Sequence, residues 1–214
     1  MTRRERDARR AAASGAGPTR EAPGRNPGAS GAFALFGEVL LTGVLITAAG
    51  LLVVTLPAAL ASGSRHLRRY VAAEGSSLRA FWSDFRRALL PSGILVGLVS
   101  ALIAAVLAAD ILLATTSALP GGRIIGVVGA VLAAVLAGAL LATAGAWRPE
   151  TGWFAAIRSL PGSAARDIPG ALYLVVAACF VALATWMLIP LIVPALGCAA
   201  LAVVAVPERP RRTH

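Results

Sequence analysis

The side chains best able to do chemistry are concentrated in residues 62–91, a polar stretch inside an otherwise apolar chain. Only Glu74 and Asp84 oppose its six arginines, which are Arg65, Arg68, Arg69, Arg79, Arg86 and Arg87. Arginines beside membrane spans are attracted to anionic lipid headgroups, so we expect membrane-surface binding here. The chain shows no nucleophile paired with a base, no metal-ligating cluster and no phosphate loop. It therefore predicts no enzymatic activity, no catalytic or metal-binding residue and no cofactor.

The second half of this stretch has the spacing of an amphipathic helix. One face carries Leu78, Phe81, Trp82, Phe85 and Leu89, at i, i+3, i+4, i+7 and i+11. Most of the opposite face is polar, with Arg79, Ser83, Arg86 and Arg87. We interpret it as a helix in the cytoplasmic headgroup layer, with its aromatic side chains toward lipid and its arginines near headgroups. The alternative is a surface helix packed on the protein's own spans.

A second polar segment, residues 148–170, repeats part of this pattern. Trp153, Phe154 and Arg158 have the spacing of Phe81, Trp82 and Arg86, and each group is followed by Leu-Pro and an apolar run. Two helices of one kind belong at one membrane face. The predicted membrane-interface and docking residues are Arg79, Phe81, Trp82, Phe85, Arg86, Arg87, Trp153, Phe154 and Arg158.

The composition is that of a membrane protein. Of its 214 residues, 57% are hydrophobic and 14% charged, and the mean hydropathy is +0.77, whereas soluble domains carry about 25% charged residues. The sequence predicts an all-α, polytopic transmembrane helix bundle of about five spans, a multi-pass protein of the cell membrane. The net charge of +10 does not indicate nucleic acid, because the arginines lie beside apolar runs.

The chain divides into a basic N-terminal tail (1–31), a transmembrane domain (32–206) and a basic C-terminal tail (207–214). The first tail lacks apolar periodicity, so we expect it to be disordered. The predicted spans are 33–61, 94–118, 124–147, 171–189 and 191–206. Pro190 and Pro194 divide the last two, and the final one is short enough to be re-entrant. Cys179 and Cys198 fall in apolar runs and are expected to be buried.

Asp110 is the one charge in the second predicted span. An intramembrane charge is a functional-site hypothesis by default. Asp110 lies late in the span, close to Arg123, so we favour a structural pair between them over a proton or cation site. Small residues at i+4 spacing in the second and third spans predict helix–helix contacts, and they leave a homo-oligomer open.

The arginines predict the orientation of the bundle. Five spans place both aromatic segments and the C-terminal tail on one side, with six, three and three basic residues, against Arg123 alone in the short turns opposite. Basic loops mark the cytoplasmic side. The N-terminal tail, with seven arginines, then falls outside. The alternative is that residues 33–61 enter and leave the same face.

The segment from Thr55 to Ala61, the arginines that follow it and the Phe81-Trp82-x-x-Phe85 pattern resemble the YesL-like family of bacterial membrane proteins, whose domain has no known function. The resemblance implies an accessory role beside carbohydrate permeases and implies no catalytic residue. The leading hypothesis is a non-enzymatic accessory or regulatory component of a carbohydrate transport system. The alternative is a small transporter or channel with Asp110 in its pathway.

Overall fold

The computed structural model describes residues 31–116 and 121–209, and no strand occurs in those ranges. The helices are α1 (Ala32–Ala49), α2 (Leu56–Val71), α3 (Leu78–Leu89), α4 (Ser92–Thr115), α5 (Gly122–Ala146), α6 (Gly152–Arg166), α7 (Ile168–Met187) and α8 (Ile192–Glu208), with short 3-10 turns at Val53–Thr55 and Ile189–Leu191. Within the described ranges, five helices are long and apolar enough to cross a membrane: α1, α4, α5, α7 and the segment Ile189–Glu208 that contains α8. The chain is an integral membrane protein, and the predicted all-α bundle of about five spans is confirmed.

The prediction of one continuous span over residues 33–61 is wrong. Helix α1 ends at Ala49, and the chain turns before α2 begins at Leu56. The Thr55 hydroxyl holds this turn by donating to the carbonyl oxygen of Ala49 at 2.7 Å. Pro57 stands in the first turn of α2, where a missing N–H costs nothing, so it starts a helix instead of kinking the end of one. Helix α2 then continues through Arg65, Arg68 and Arg69 to Val71.

Helices α1 and α2 form an antiparallel hairpin. Glu38, early in α1, contacts His66, late in α2. At the other end, Gly50 packs against the side chains of Leu56 and Ala59. The start of α1 and the end of α2 therefore lie at the same end of the hairpin.

Helices α1 and α8 cross at two glycines. A Cβ on Gly43 would overlap the Val193 carbonyl oxygen, and a Cβ on Gly197 would overlap that of Val39. The pairing of 43 with 193 and of 39 with 197 makes these helices antiparallel. Their backbones approach closely because neither glycine has a side chain.

Two other boundaries differ from the sequence-based prediction. The pattern around Leu160 and Pro161 predicts a helix end, yet α6 continues through Pro161 to Arg166. The last apolar run does divide into two helices, but Pro194 lies in the first turn of α8 and the break falls at Ile189–Leu191. A proline is tolerated in a first helical turn, so only Pro190 acts as a breaker here.

In the third span the predicted contact with a neighbouring span is present, because Gly138 packs against the backbone of Val175 in α7. The buried part of the stripe in the second span contacts α3 and the turn before α2 instead of another span. A Cβ on Gly93 would overlap the Ala88 carbonyl oxygen, and Gly97 stands in the same relation to Val54. Ala105 and Ala109, later in the same stripe, are exposed. Cys179 and Cys198 are free and exposed, so the prediction that they are buried is wrong.

Candidate functional site at the arginine end

The polar segments meet at one end of the bundle. The Trp153 indole N–H of α6 donates to the carbonyl oxygen of Ala88 in α3 at 2.7 Å. Arg68 of α2 donates to the carbonyl oxygen of Gly145, at the end of α5, at 3.3 Å. These bonds bring α2, α3, α6 and the end of α5 together. We call this region the arginine end.

Helices α7 and α8 join the arginine end through their own polar contact. Asp167, which caps α7 by accepting from the Gly170 backbone N–H at 3.0 Å, forms an ion pair with Arg209, just past α8. The Arg209 guanidinium also lies over the Tyr173 ring, 5.3 Å from its centroid. The start of α7 is thus fastened to the end of α8. The prediction that both aromatic segments and the exit from the last span share one end agrees with these contacts.

Asp84 anchors α3 to α2. Its side chain is only 4% exposed and accepts from Arg65 Nε at 3.1 Å and from Arg69. A buried carboxylate is stable only when paired and hydrogen-bonded, and two guanidinium groups supply both conditions. The structure shows that both partners come from a different helix.

The buried face of α3 differs from its predicted apolar face. Phe81, Asp84 and Ala88 are buried, whereas Leu78 is 52% exposed and Trp82 is 42% exposed. Phe81 also meets the His66 ring edge to face, with centroids 6.2 Å apart. The position of Phe81 therefore agrees with the alternative prediction, in which α3 packs on the protein's own helices. Leu78 and Trp82 are exposed on the side of α3 that no other described helix covers.

The exposed face of α3 is basic and aromatic. Arg79, Trp82, Ser83, Arg86 and Arg87 line a shallow depression on the surface. The three arginines are exposed and form no ion pair with any residue that the structure describes. Guanidinium groups, a hydroxyl and an indole together can bind an anionic group beside an apolar one.

The resemblance between the two aromatic segments extends to burial. In each pair the first aromatic residue is buried and the second exposed: Trp153 is buried like Phe81, and Phe154 is 75% exposed. Arg158 is exposed, as is Arg86 at the matching position of α3. One aromatic side chain therefore fixes each helix to the bundle, and the next one is free for contact with lipid or a partner.

The contact that closes the hairpin of α1 and α2 was not predicted from the sequence. His66 is buried, and its Nε2 lies 2.7 Å from Glu38 Oε1. His66 Nδ1 and the buried Thr42 hydroxyl have no hydrogen-bond partner among the described residues. A helical wheel over 56–71, which places His66 on the face of Ala59 and Gly63, would have predicted this burial.

Arg68 lies at the arginine end, outside the five apolar helices. Burial lowers its pKa, and the neighbouring positive charges of Arg148 and Arg65 lower it further, while Glu208 acts in the opposite direction. Its contact with the Gly145 carbonyl offsets part of this cost, because the carboxyl end of a helix carries partial negative charge. Arg68 thus fastens α2 to α5.

Asp110 and Arg123 do not meet. Both are exposed, and no ion pair joins them within the described part of the chain. Asp110 lines a shallow surface concavity between α4 and α5, together with apolar side chains such as Ile124 and Val128. The predicted structural pair is therefore not formed.

In residues 31–116 and 121–209 no group of three His, Cys, Asp or Glu side chains is placed to hold a metal ion. The chain matches no known family model, no curated protein and no solved structure.

Proposed function

We propose that the protein is a non-enzymatic accessory or regulatory component of the cell membrane, and that it docks a membrane partner through the exposed face of α3. One observation carries the proposal. Helix α3 is fixed from beneath by Phe81 and Asp84, while Arg79, Arg86 and Arg87 point away from the bundle without ion-pair partners in the described chain. A rigid helix that presents unneutralised charge is suited to recognising an acidic surface.

The distribution of arginines supports a cytoplasmic position for the arginine end. The two aromatic segments and the C-terminal tail hold twelve basic residues, whereas the opposite end of the bundle holds one, Arg123, in the first turn of α5. Short basic loops are retained in the cytoplasm during insertion. The docking face would then be available to cytoplasmic parts of other membrane proteins.

The resemblance of residues 55–85 to the YesL-like family supports a permease subunit of a carbohydrate uptake system as the partner. An acidic cytoplasmic loop or coupling helix of such a permease is the chemistry that the α3 face would complement. The alternative, a transporter with Asp110 in its pathway, gains no support from the geometry, because Asp110 lies on the outer surface of the bundle.

Affinity purification from the native host in mild detergent tests the proposal. The wild-type chain is compared with a triple variant, Arg79→Gln, Arg86→Gln and Arg87→Gln, and with a control, Arg158→Gln and Arg166→Gln on α6. All five arginines are exposed at the same end of the bundle. We expect permease subunits, identified by mass spectrometry, to accompany the wild type and the control, and to be depleted at least tenfold with the triple variant.

Reconstitution of the purified chain into vesicles supplies the second arm. An accessory protein should carry no sugar flux alone. Flux through the isolated chain, or full retention of the permease by the triple variant, would refute the proposal. If the triple variant keeps its partners but is itself extracted from the membrane more easily than the wild type, the α3 face binds anionic lipid and not a protein.

A further inference from the structure

Three arginines of the arginine end converge on the last residues of α5. Arg68 donates to the Gly145 carbonyl oxygen at 3.3 Å, and the Arg65 guanidinium lies over the Trp147 ring, 5.8 Å from its centroid. Arg148 follows Trp147 directly in the chain and is exposed. After burial, the charges of Arg148 and Arg65 are the main causes that lower the pKa of Arg68. Guanidinium groups from α2 and from the chain after α5 therefore meet at one place.

These guanidinium groups outnumber the carboxylates beside them. With the neighbouring arginine that also binds Asp84, they form what we call the arginine cluster: Arg65, Arg68, Arg69 and Arg148. Asp84 pairs with two of the four. Glu208 acts on Arg68 through its charge but forms no ion pair with it in the described part of the chain. Four positive charges thus face two negative ones, and the cluster keeps an excess of two positive charges.

The cluster also has more hydrogen-bond donors than the protein has acceptors for them. Arg68 Nη1 and Arg69 Nη1 are buried and have no hydrogen-bond partner among the described residues. A buried donor without an acceptor costs free energy, and such a group calls for an acceptor from outside the chain. The cluster can be reached from the surface, because the side chains of Arg65 and Arg69 are 20% and 22% exposed and Arg148 is exposed.

We infer that the arginine cluster binds a phosphate group. A phosphate has several oxygens that can accept from guanidinium groups arriving from different directions, whereas a single guanidinium already saturates a carboxylate. Helix α5 has 25 residues, about 37 Å, and is longer than about 30 Å of hydrocarbon, so its end reaches the headgroup region. Basic pockets between membrane helices bind lipid headgroups at this level. The site is separate from the docking face of α3.

Thermal unfolding of the purified full chain in a nonionic detergent tests the inference, because a ligand that binds only the folded protein raises its Tm. The probes are a short-chain phosphatidylglycerol, the corresponding phosphatidylcholine and inorganic phosphate, all at one ionic strength. We expect phosphatidylglycerol to raise the Tm more than phosphatidylcholine, whose choline group cancels the phosphate charge. Stabilisation by phosphatidylglycerol alone would assign the site to a lipid headgroup. Stabilisation by inorganic phosphate would show that free phosphate occupies it.

Single substitutions locate the site. Arg148→Gln removes a guanidinium that forms no hydrogen bond or ion pair among the described residues, and it should weaken phosphatidylglycerol binding about fivefold, as expected for one arginine near an anionic headgroup. Arg68→Lys keeps the charge but loses the planar fork, so it should also weaken binding. Glu208→Gln removes a carboxylate that opposes the ligand and should strengthen it. Arg158→Gln, at an exposed position of α6, is the matched control and should bind like the wild type.

Three results would overturn the inference. The first is a Tm that none of the probes raises, or that phosphatidylcholine raises as much as phosphatidylglycerol. The second is unchanged affinity in Arg148→Gln, which alters no contact of the described chain and so decides the test even if Arg68→Lys fails to fold. The third is an equal loss of affinity in Arg158→Gln, because the lipid would then be attracted to the basic surface in general and not to the cluster.

Discussion

Helices α2 and α4 reverse the relation between polarity and burial that soluble proteins show. Eleven of the sixteen residues of α2 are buried, although it carries three arginines, a histidine and two serines. Three of the twenty-four residues of α4 are buried, although it carries a single charge. In water the polar helix would be at the surface and the apolar helix inside.

The reversal follows from the solvent that each helix meets. Lipid is as apolar as leucine, so the side chains of α4 gain little by leaving it. Polar groups lose much in hydrocarbon, so α2 is stable only where its groups find partners inside the protein. The Ser62 hydroxyl donates to the Ala58 carbonyl at 2.9 Å, and Arg65 and Arg69 share Asp84. Helix α2 is therefore part of the protein interior, and the far half of α4 is a lipid-facing surface.

The sharpest test of this contrast truncates one leucine in each helix. Leu67 of α2 is fully buried, whereas Leu102 of α4 is 66% exposed. We expect Leu67→Ala to lower the free energy of unfolding by about 3 kcal/mol, because it leaves a cavity. Leu102→Ala should change it by less than about 0.5 kcal/mol, because lipid fills the space. Equilibrium unfolding in mixed micelles measures both.

An equally large loss in Leu102→Ala would break the contrast. It would mean that α4 is covered in the membrane by another chain. Size analysis of the same samples would then show whether that chain is a second copy of the protein. If the protein is a monomer and Leu102→Ala changes the free energy of unfolding only slightly, the exposed face of α4 contacts lipid.

The apolar helices could be predicted from sequence because their signal is local. Runs such as α4 and α5 are long, nearly uncharged and separated by glycine and proline, so length and composition suffice. Helix α1 was extended too far because residues 50–61 are as apolar as the helix before them. Its end is set by the Thr55 hydroxyl and by Pro57, whose role depends on the direction that the chain takes after it.

The candidate site was predictable only in outline. The aromatic and arginine residues of α3 were found by their period, but the face that is buried depends on Arg65 and Arg69, which are nineteen and fifteen positions away from Asp84. Such long-range pairing leaves no local pattern. Asp110 shows the converse. Its closeness in sequence to Arg123 predicted an ion pair, but both residues are exposed and the pair is not formed.

Asp84, which pairs with α2, and Asp110, on α4, test the same contrast between the two helices for charged side chains. In Asp84→Asn, Arg65 and Arg69 lose their shared carboxylate while remaining largely buried. We expect a loss of about 2 kcal/mol in unfolding free energy, less than for a fully buried pair because both guanidinium groups are partly exposed. Asp110→Asn, an identical change on the exposed surface of α4, should cost less than about 0.5 kcal/mol.

Both variants should be followed in the same mixed-micelle titration, with Glu74→Gln as a further exposed control. A stable Asp84→Asn protein would show that packing around Phe81 holds α3 in place without the ion pairs. A marked loss in Asp110→Asn would assign that carboxylate a partner absent from the isolated chain.

The smallest expected effect concerns the point where the two regions meet. Trp153 packs beside Gly93, in the first turn of α4, and its indole N–H satisfies the Ala88 carbonyl of α3. Trp153→Phe keeps an aromatic ring but leaves that carbonyl without its donor, so we expect a loss of about 1 kcal/mol. Phe154→Leu, at the exposed neighbouring position, should be nearly neutral.

Because α4 has few other buried residues, hydrogen exchange in Trp153→Phe should rise first at residues 88–97. Faster exchange confined to α6 would instead mean that α4 is held by its contact between Gly97 and Val54, and the boundary between the polar interior and the lipid-facing helices would lie one turn further along α4.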